Sequence, residues 1–279
     1  MDSSKRLELQ RAATKVRMSV IEGTYNAKSG HPGGSLSVAD IITYLYMCEL
    51  RCDPKNPREE GRDRFVLSKG HTAPALYGAL ALKGFFPQDD IKTLRKPDSY
   101  LQGHPSMHMT PGVDMSTGSL GQGISAAVGM ALGGKLQGAD YRVYTVLGDG
   151  EIEEGQVWEA AMFASAKGLS NLVAVVDNNN LQIDGTLEEV NSPYPIDEKF
   201  KAFGWHVICV NGHDFDELEA AFNEAKTVTD RPTAIVAKTV KGKGVSFMEN
   251  QCGWHGKAPD DEQYAQAMNE LKTTLDSLN

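Results

Sequence analysis

Two short polar runs stand where chemistry is easiest to build. Gly148-Asp149-Gly150 closes the apolar run Tyr141 to Leu147, and Asp177-Asn178-Asn179-Asn180 closes Leu172 to Val176. A lone Gly-Asp-Gly is commonly a turn, and an asparagine run is commonly a solvated loop. Here the two close consecutive strand-like segments, with a helical segment between them. A carboxylate and an amide oxygen at adjacent strand ends can share one small, hard cation, and oxygen ligands suit magnesium or calcium better than zinc. Magnesium takes few protein ligands and completes its shell with water and phosphate oxygens. One carboxylate and one neutral amide therefore leave most of the metal's charge for a diphosphate. Gly148 and Gly150 allow the backbone to approach that phosphate closely.

Histidine is the second signal. Of seven, His31, His71, His104 and His255 lie in glycine- or proline-flanked segments: SGHPGG, SKGHTA, QGHPS and GWHGK. Four in similar contexts suggest one polar pocket of neutral imidazoles. His108, His206 and His213 lack that context and read as structural. Competing motifs fail. Gly129 and Gly134-Lys135 have the spacing of a P-loop, but Leu136 stands where Ser or Thr would hold the metal. Gly118, Gly121 and Gly123 are in the wrong order for a dinucleotide fingerprint. As a loop before a helix at 124–136 they still offer amides to an anion. No G-x-S-x-G nucleophile elbow occurs.

The elements that must position these residues read as an α/β alternation. Helices are expected at 5–28, 38–50, 72–83, 124–136, 157–167, 196–203, 215–226 and from about Asp260, and strands at 64–67, 141–147, 172–176, 205–210 and 233–239. Ser29–Ser37, 97–123 and 241–258 read as loops, rich in glycine and proline. Continuous apolar strands such as VYTVL and LVAVV fit a doubly wound parallel sheet with helices on both faces. In such sheets ligands lie beyond the carboxyl ends of the strands.

Composition narrows the classes. The chain has 279 residues and a formal charge of −9, and 41% of it is hydrophobic. A sequence pI near 5.3 argues against a nucleic-acid-binding face. No apolar run reaches the ~18 residues that span a bilayer. Met1 to Gln10 is polar and charged, unlike a secretory signal, so a cytoplasmic location is expected. Four cysteines are too few for a disulfide framework. Cys48 and Cys52 share a helix-face spacing but lack the second pair of a structural zinc site.

Together these motifs resemble the N-terminal, diphosphate-binding half of a transketolase, within the thiamine-diphosphate enzyme superfamily. The superfamily signature is GDG and, after a gap, NN; here 27 residues separate Gly150 from Asn178. Narrower, transketolase-like blocks are SGHPGGSLS (29–37), FVLSKGH (65–71), GHP (103–105), PGVDMSTGSLGQG (111–123), GDGEIEEGQVWEA (148–160), NNNLQIDG (178–185) and WHG (254–256). The resemblance runs from about Arg6 to Lys257. It implies that Asp149, Asn179 and the carbonyl of Leu181 hold magnesium, with calcium or manganese as substitutes and Asn178 as the other register for the amide. It implies that His71, Gly118, Gly148, Gly150 and His255 meet the cofactor and that Leu120 and Ile183 flank its rings. Glu154 is expected near the cofactor at the junction of the enzyme's two halves. His31, His104 and His255 are expected to contact the sugar and move protons. Ser119 departs from the proline of many full-length members.

The larger departure is length. The family's second half grips the aminopyrimidine ring and carries the glutamate that activates it. The chain therefore reads as one thiamine-diphosphate-binding domain over 1–279, a natural subunit whose C-terminal, pyrimidine-binding partner is a separate chain, in an α2β2 heterotetramer. The implied reaction is transfer of a two-carbon ketol unit from a ketose phosphate to an aldose phosphate, as in pentose phosphate metabolism. Alternatives are a split transketolase for a sulfonated or branched ketose, a cofactor-binding module without turnover, and the α subunit of a 2-oxo-acid dehydrogenase. The SGHPGG and SKGH blocks argue against the last.

Overall fold

The fold is taken from a computed structural model, which describes residues 1–278. Five parallel strands form one sheet: β1 (Arg64–Leu67), β2 (Val143–Gly148), β3 (Leu172–Asn178), β4 (His206–Asn211) and β5 (Thr233–Lys238), in the order β1-β2-β3-β5-β4. All five lie within about two residues of the strands read from the sequence. After β3 the chain skips one position to the edge, then returns to place β5 between β3 and β4.

Strand side chains alternate between two cores, as the period of two requires. Tyr144, Val146, Val173, Val175 and Ile235 face one side. Val143, Leu147, Leu172, Ala174, Val176 and Val236 face the other. The first core packs against α1 (Ser3–Ala27), α3 (Ala39–Tyr44), α4 (Ala73–Lys83), α9 (Phe215–Thr227) and α10 (Asp261–Ser277). The second packs against α5 (Gly123–Gln137), α6 (Gly155–Ala166) and α8 (Ile196–Ala202). Burying both faces is what makes the strands near-continuously apolar. Local chemistry sets the helix ends: Asp2 and Asp214 cap α1 and α9, and Asp260 and Gln263 form a capping box on α10.

Some segments differ from expectation. SGHPGGSLS is not a loop throughout: Pro32–Ser37 forms a short helix, α2, with Pro32 at its first position and every residue buried. Packing overrides the usual reading of paired glycines as a breaker. The helix expected at 38–50 is α3 followed by one π turn, Leu45–Glu49. A further short helix, α7 (Leu187–Val190), has no apolar periodicity to announce it and is fixed by a Thr186/Glu189 capping box. Residues 94–122 contain no helix or strand. Among the described residues no helix is long and apolar enough to cross a membrane.

Candidate active site

A cleft of about 550 Å³ opens beyond the carboxyl ends of the strands. Its floor comes from residues within three positions of the ends of four strands. Lys69 comes after β1, Asp149 after β2, Asn179 after β3 and Lys241 after β5. The residues expected at a site are brought together here: His31, His71, Gly118, Leu120, Gly148, Asp149, Gly150, Glu154, Asn179, Leu181, Ile183 and His255 all line it. His104 is exposed and sits at the rim, its ring against Gly118.

Asp149 is 2% exposed. Its Oδ1 accepts the Gly150 amide at 2.9 Å and its Oδ2 the Asn180 amide at 2.5 Å. Burial, aided by the negative charge of Asp177, pushes its carboxyl up to about 7 against the pull of those amides and of Lys69. The amide of Gly150, expected to face a diphosphate, is thus engaged with Asp149.

The asparagine run separates by side-chain direction. Asn178 turns away, its Oδ1 accepting the Tyr194 hydroxyl at 2.7 Å. Asn180 serves through its backbone and adopts a left-handed φ of 64°. Asn179 alone of the three lines the cleft. Its Nδ2 donates to Asp177 at 3.3 Å, and its Oδ1 accepts the Leu181 amide at 3.1 Å.

Lys69 and Lys241 line the cleft and are missed by sequence reasoning, and Asp177, read there only as the start of the asparagine run, lies buried behind them. Asp177 is fully buried and accepts from Lys69, Thr239 and Ser37, the last at 2.5 Å. Burial raises its carboxyl, but the Lys69 charge and these hydrogen bonds win and hold it below the usual carboxylate value. Lys241 is 1% exposed, and its Nζ donates to the Leu181 carbonyl and to His255 Nδ1, both at 3.0 Å. Burial, opposed by Asp149, brings its ammonium down to about 8. Sequence offers no pointer to two buried lysines, because lysine is normally solvent-facing.

His31, His71 and His255 form a triangle with ring centroids 5.1, 5.4 and 5.2 Å apart. All three are held neutral. Burial, then Lys241, brings His255 down to about 3; burial, then Arg95, brings His31 down to about 4; burial, then Lys69, lowers His71 strongly. His104, exposed as a whole, is lowered by the partial desolvation of its ring and then by Arg95. His31 Nδ1 is buried with no hydrogen-bond partner, an orphan that a polar ligand in the cleft would satisfy. Glu151, buried and raised by that burial, accepts the amides of Gly121 and Gly148 at 3.0 Å each and so ties the Gly118–Gly121 loop to the end of β2. His108 is exposed, and His206 pairs with Glu224 away from the cleft.

The donor set fits a magnesium–diphosphate group. Among the described residues no cluster of three or more His, Cys, Asp or Glu could hold a metal. Asp149, Asn179 and the Leu181 carbonyl instead offer a hard-oxygen set that needs ligand oxygens to complete it. Two buried lysines and neutral imidazoles offer donors to an anion, beside the carboxyls of Asp149, Glu151, Glu153 and Glu154 that also line the cleft.

Fold and cleft define a doubly wound α/β protein with a polar, charged cleft at its strand ends, where such sheets place their ligands. Residues 9–275 match the transketolase, thiamine diphosphate binding domain family. The chain is 45% identical over 270 residues to the 6-deoxy-6-sulfo-D-fructose transketolase subunit SqwG of Clostridium sp. (strain MSTE9), covering 97% of this chain and 98% of that one. It is 43% identical to a subunit of the apulose-4-phosphate transketolase of Phocaeicola vulgatus, covering 98% and 96%. Human transketolase is 43% identical over 99% of this chain but only 44% of its own length. The crystal structure of Campylobacter jejuni transketolase superposes with a TM-score of 0.90 at 32% identity, over 100% of this chain and 46% of that one. The chain thus spans less than half the length of these full-length transketolases. It belongs to the transketolase family and is a transketolase-type transferase subunit.

Proposed function

We propose that this chain is the diphosphate-side subunit of a split transketolase, moving a two-carbon ketol unit from a ketose phosphate to an aldose phosphate with thiamine diphosphate and magnesium. The observation that carries the reading is the convergence of the buried Asp149 carboxylate, the Asn179 amide and the Leu181 carbonyl beside Lys69 and Lys241. Thiamine diphosphate supplies the nucleophilic carbon that cleaves and forms the sugar's carbon–carbon bond. Asp149, Asn179 Oδ1 and the Leu181 carbonyl, which now accepts from Lys241, would hold magnesium. Lys241 offsets part of the diphosphate charge, Lys69 being already paired with Asp177, and His71 and His255 supply neutral hydrogen-bonding edges.

Leu120 and Ile183 are 37% and 63% exposed at the cleft, apolar surfaces suited to the cofactor's rings. His31, His104 and His255 hold sugar hydroxyls and move protons. Rings kept neutral by burial and nearby cations accept a proton only transiently, which suits a relay. Such transfers contribute roughly a hundred- to ten-thousand-fold.

The whole enzyme forms with a C-terminal, pyrimidine-binding partner in an α2β2 assembly, in the cytoplasm. The two relatives matched end to end are both named as subunits, which supports this reading. Those two end-to-end matches, named for 6-deoxy-6-sulfo-D-fructose and apulose-4-phosphate, support a modified ketose as donor, while identity alone, 45%, 43% and 43%, does not separate them from ordinary transketolase. The test is ketol transfer by this chain, alone and with its partner, from xylulose 5-phosphate, 6-deoxy-6-sulfofructose or apulose 4-phosphate to an aldose phosphate acceptor. Turnover only in the mixture is expected. The donor with the highest kcat/KM names the sugar. A mixture that binds no thiamine diphosphate would sink the proposal.

A further inference from the structure

Lys241 sits on a four-residue strap, Val240 to Lys243, that follows β5, and both flanks of the strap lead back to one buried carboxylate. On one side, the Val240 amide donates to His213 Nε2 at 2.9 Å, and His213 Nδ1 donates to Asp40 Oδ2 at 2.7 Å. On the other, Arg17 Nε donates to the Lys243 carbonyl at 3.0 Å, and the same guanidinium grips both Asp40 oxygens, Nη1 at 3.1 Å from Oδ1. Asp40 is buried and exposes nothing to the cleft. His213 can make both of its bonds only as the neutral ring with its proton on Nδ1, because a ring protonated at Nε2 cannot accept the Val240 amide.

The strap has little other freedom. Gly242 donates its amide to the Gly33 carbonyl at 2.9 Å, and Asn250 donates to the Lys241 carbonyl at 2.9 Å. Gly242 has a φ of +81°, and a Cβ there would meet the Met248 carbonyl oxygen at 2.2 Å. The Lys241 side chain is thereby aimed inward, where its ammonium must stand within hydrogen-bond reach of Leu181 and His255.

We infer that His213, anchored by Asp40 and Arg17, is a positioning residue that sets where the Lys241 ammonium stands and so tunes the cleft's grip on the cofactor's diphosphate. This rests on the reading of the cleft as a diphosphate site. His213 and Asp40 do not touch the ligand; they act only through the strap.

The test is titration of the assembled enzyme with thiamine diphosphate in excess magnesium, followed by tryptophan fluorescence, with a thermal melt of each variant. His213→Asn keeps a donor for Asp40 but loses the acceptor for the Val240 amide. His213→Gln reaches far enough to return an oxygen to that amide. His213→Asn is expected to weaken binding on the order of tenfold, the loss of one buried hydrogen bond that orients a charge, and His213→Gln to recover most of it. In a Lys241→Met background, itself weakened roughly ten- to a hundredfold, His213→Asn is expected to have no further effect. An equal loss from His213→Asn in both backgrounds would overturn the inference, since the histidine would then act on the fold and not through Lys241. So would unchanged binding by His213→Asn beside a weakened Lys241→Met. A Lys241→Met enzyme that binds like the parent, or a parent that does not bind, would overturn the reading of the cleft instead.

Discussion

Asn179 gives its amide nitrogen to the buried carboxylate of Asp177, 3.3 Å away, and that bond decides which way its oxygen points. Asp177 can only accept, so the Asn179 amide cannot flip without facing oxygen with oxygen. The same carboxylate neutralises Lys69, which is itself buried. Asp177→Asn should therefore do two separable things. Leaving the Lys69 ammonium without a counter-charge should cost about 3–5 kcal/mol of stability. Freeing the Asn179 amide should weaken magnesium-dependent binding of thiamine diphosphate by about tenfold. A melt and a cofactor titration that both match the parent would show that neither relationship matters.

Asp149 makes the opposite prediction for stability. Its folded-state carboxyl stands at about 7 against an ordinary 3.8. A carboxyl raised on folding contributes stability below its unfolded value, and that contribution is lost as pH rises through the folded value. The metal-free chain should lose on the order of a few kcal/mol from this group between pH ~4 and ~7, with Glu151 adding in the same direction. Asp149→Asn should remove that loss and melt higher than the parent at neutral pH, while abolishing magnesium-dependent cofactor binding. Thermal melts in a chelator across this range, with and without the substitution, check the sign.

The imidazole triangle slopes the other way. His31 and His255 are lowered from 6.5 to about 4 and about 3. Groups kept neutral by folding contribute stability above the unfolded value, and it is lost as pH falls toward the folded one. The Asp149→Asn chain, relieved of the opposing slope, should therefore melt progressively lower as pH falls from about 6.5 to about 4. Adding His31→Gln and His255→Gln should make that limb shallower, leaving the share that belongs to His71. A limb of unchanged steepness would place the acid-sensitive groups elsewhere.

Much of this is legible in the sequence because it is local. The five strands announce themselves as apolar runs, two of them ending in Gly-Asp-Gly or in asparagine, and α10 by its spaced apolar face and cap. What is not legible depends on strand order. Nothing in the chain says that the residue two beyond β1 lies against a residue near the end of β3, so the Lys69–Asp177 pair is invisible. The register of the asparagines is equally hidden, since it is set by Tyr194 on one side and Asp177 on the other. His213 does not line the cleft, and its hold on the Lys241 strap is a contact across 27 residues that no periodicity reveals.

The glycines of SGHPGGSLS carry a last consequence of that hidden packing. Gly33 has an ordinary φ, so its need for glycine is spatial. A Cβ there would stand 2.9 Å from the Trp254 carbonyl oxygen and 3.2 Å from Lys241 Cγ. The first neighbour is backbone beside His255 and cannot yield alone; the second is the stem of the cleft's ammonium. Gly33→Ala should therefore push both His255 and Lys241 out of place, costing about 1–3 kcal/mol of stability as an overpacked position. It should also weaken cofactor binding by about tenfold, as the ammonium's hydrogen bonds are lost. Gly129 on α5 is the control, because a Cβ there meets nothing within 4 Å. Gly129→Ala should stabilise the chain by roughly 1 kcal/mol of helix propensity, raise its melting temperature and leave cofactor affinity alone. If both alanines behaved alike, the pressure of α2 on the strap would not be what fixes Gly33.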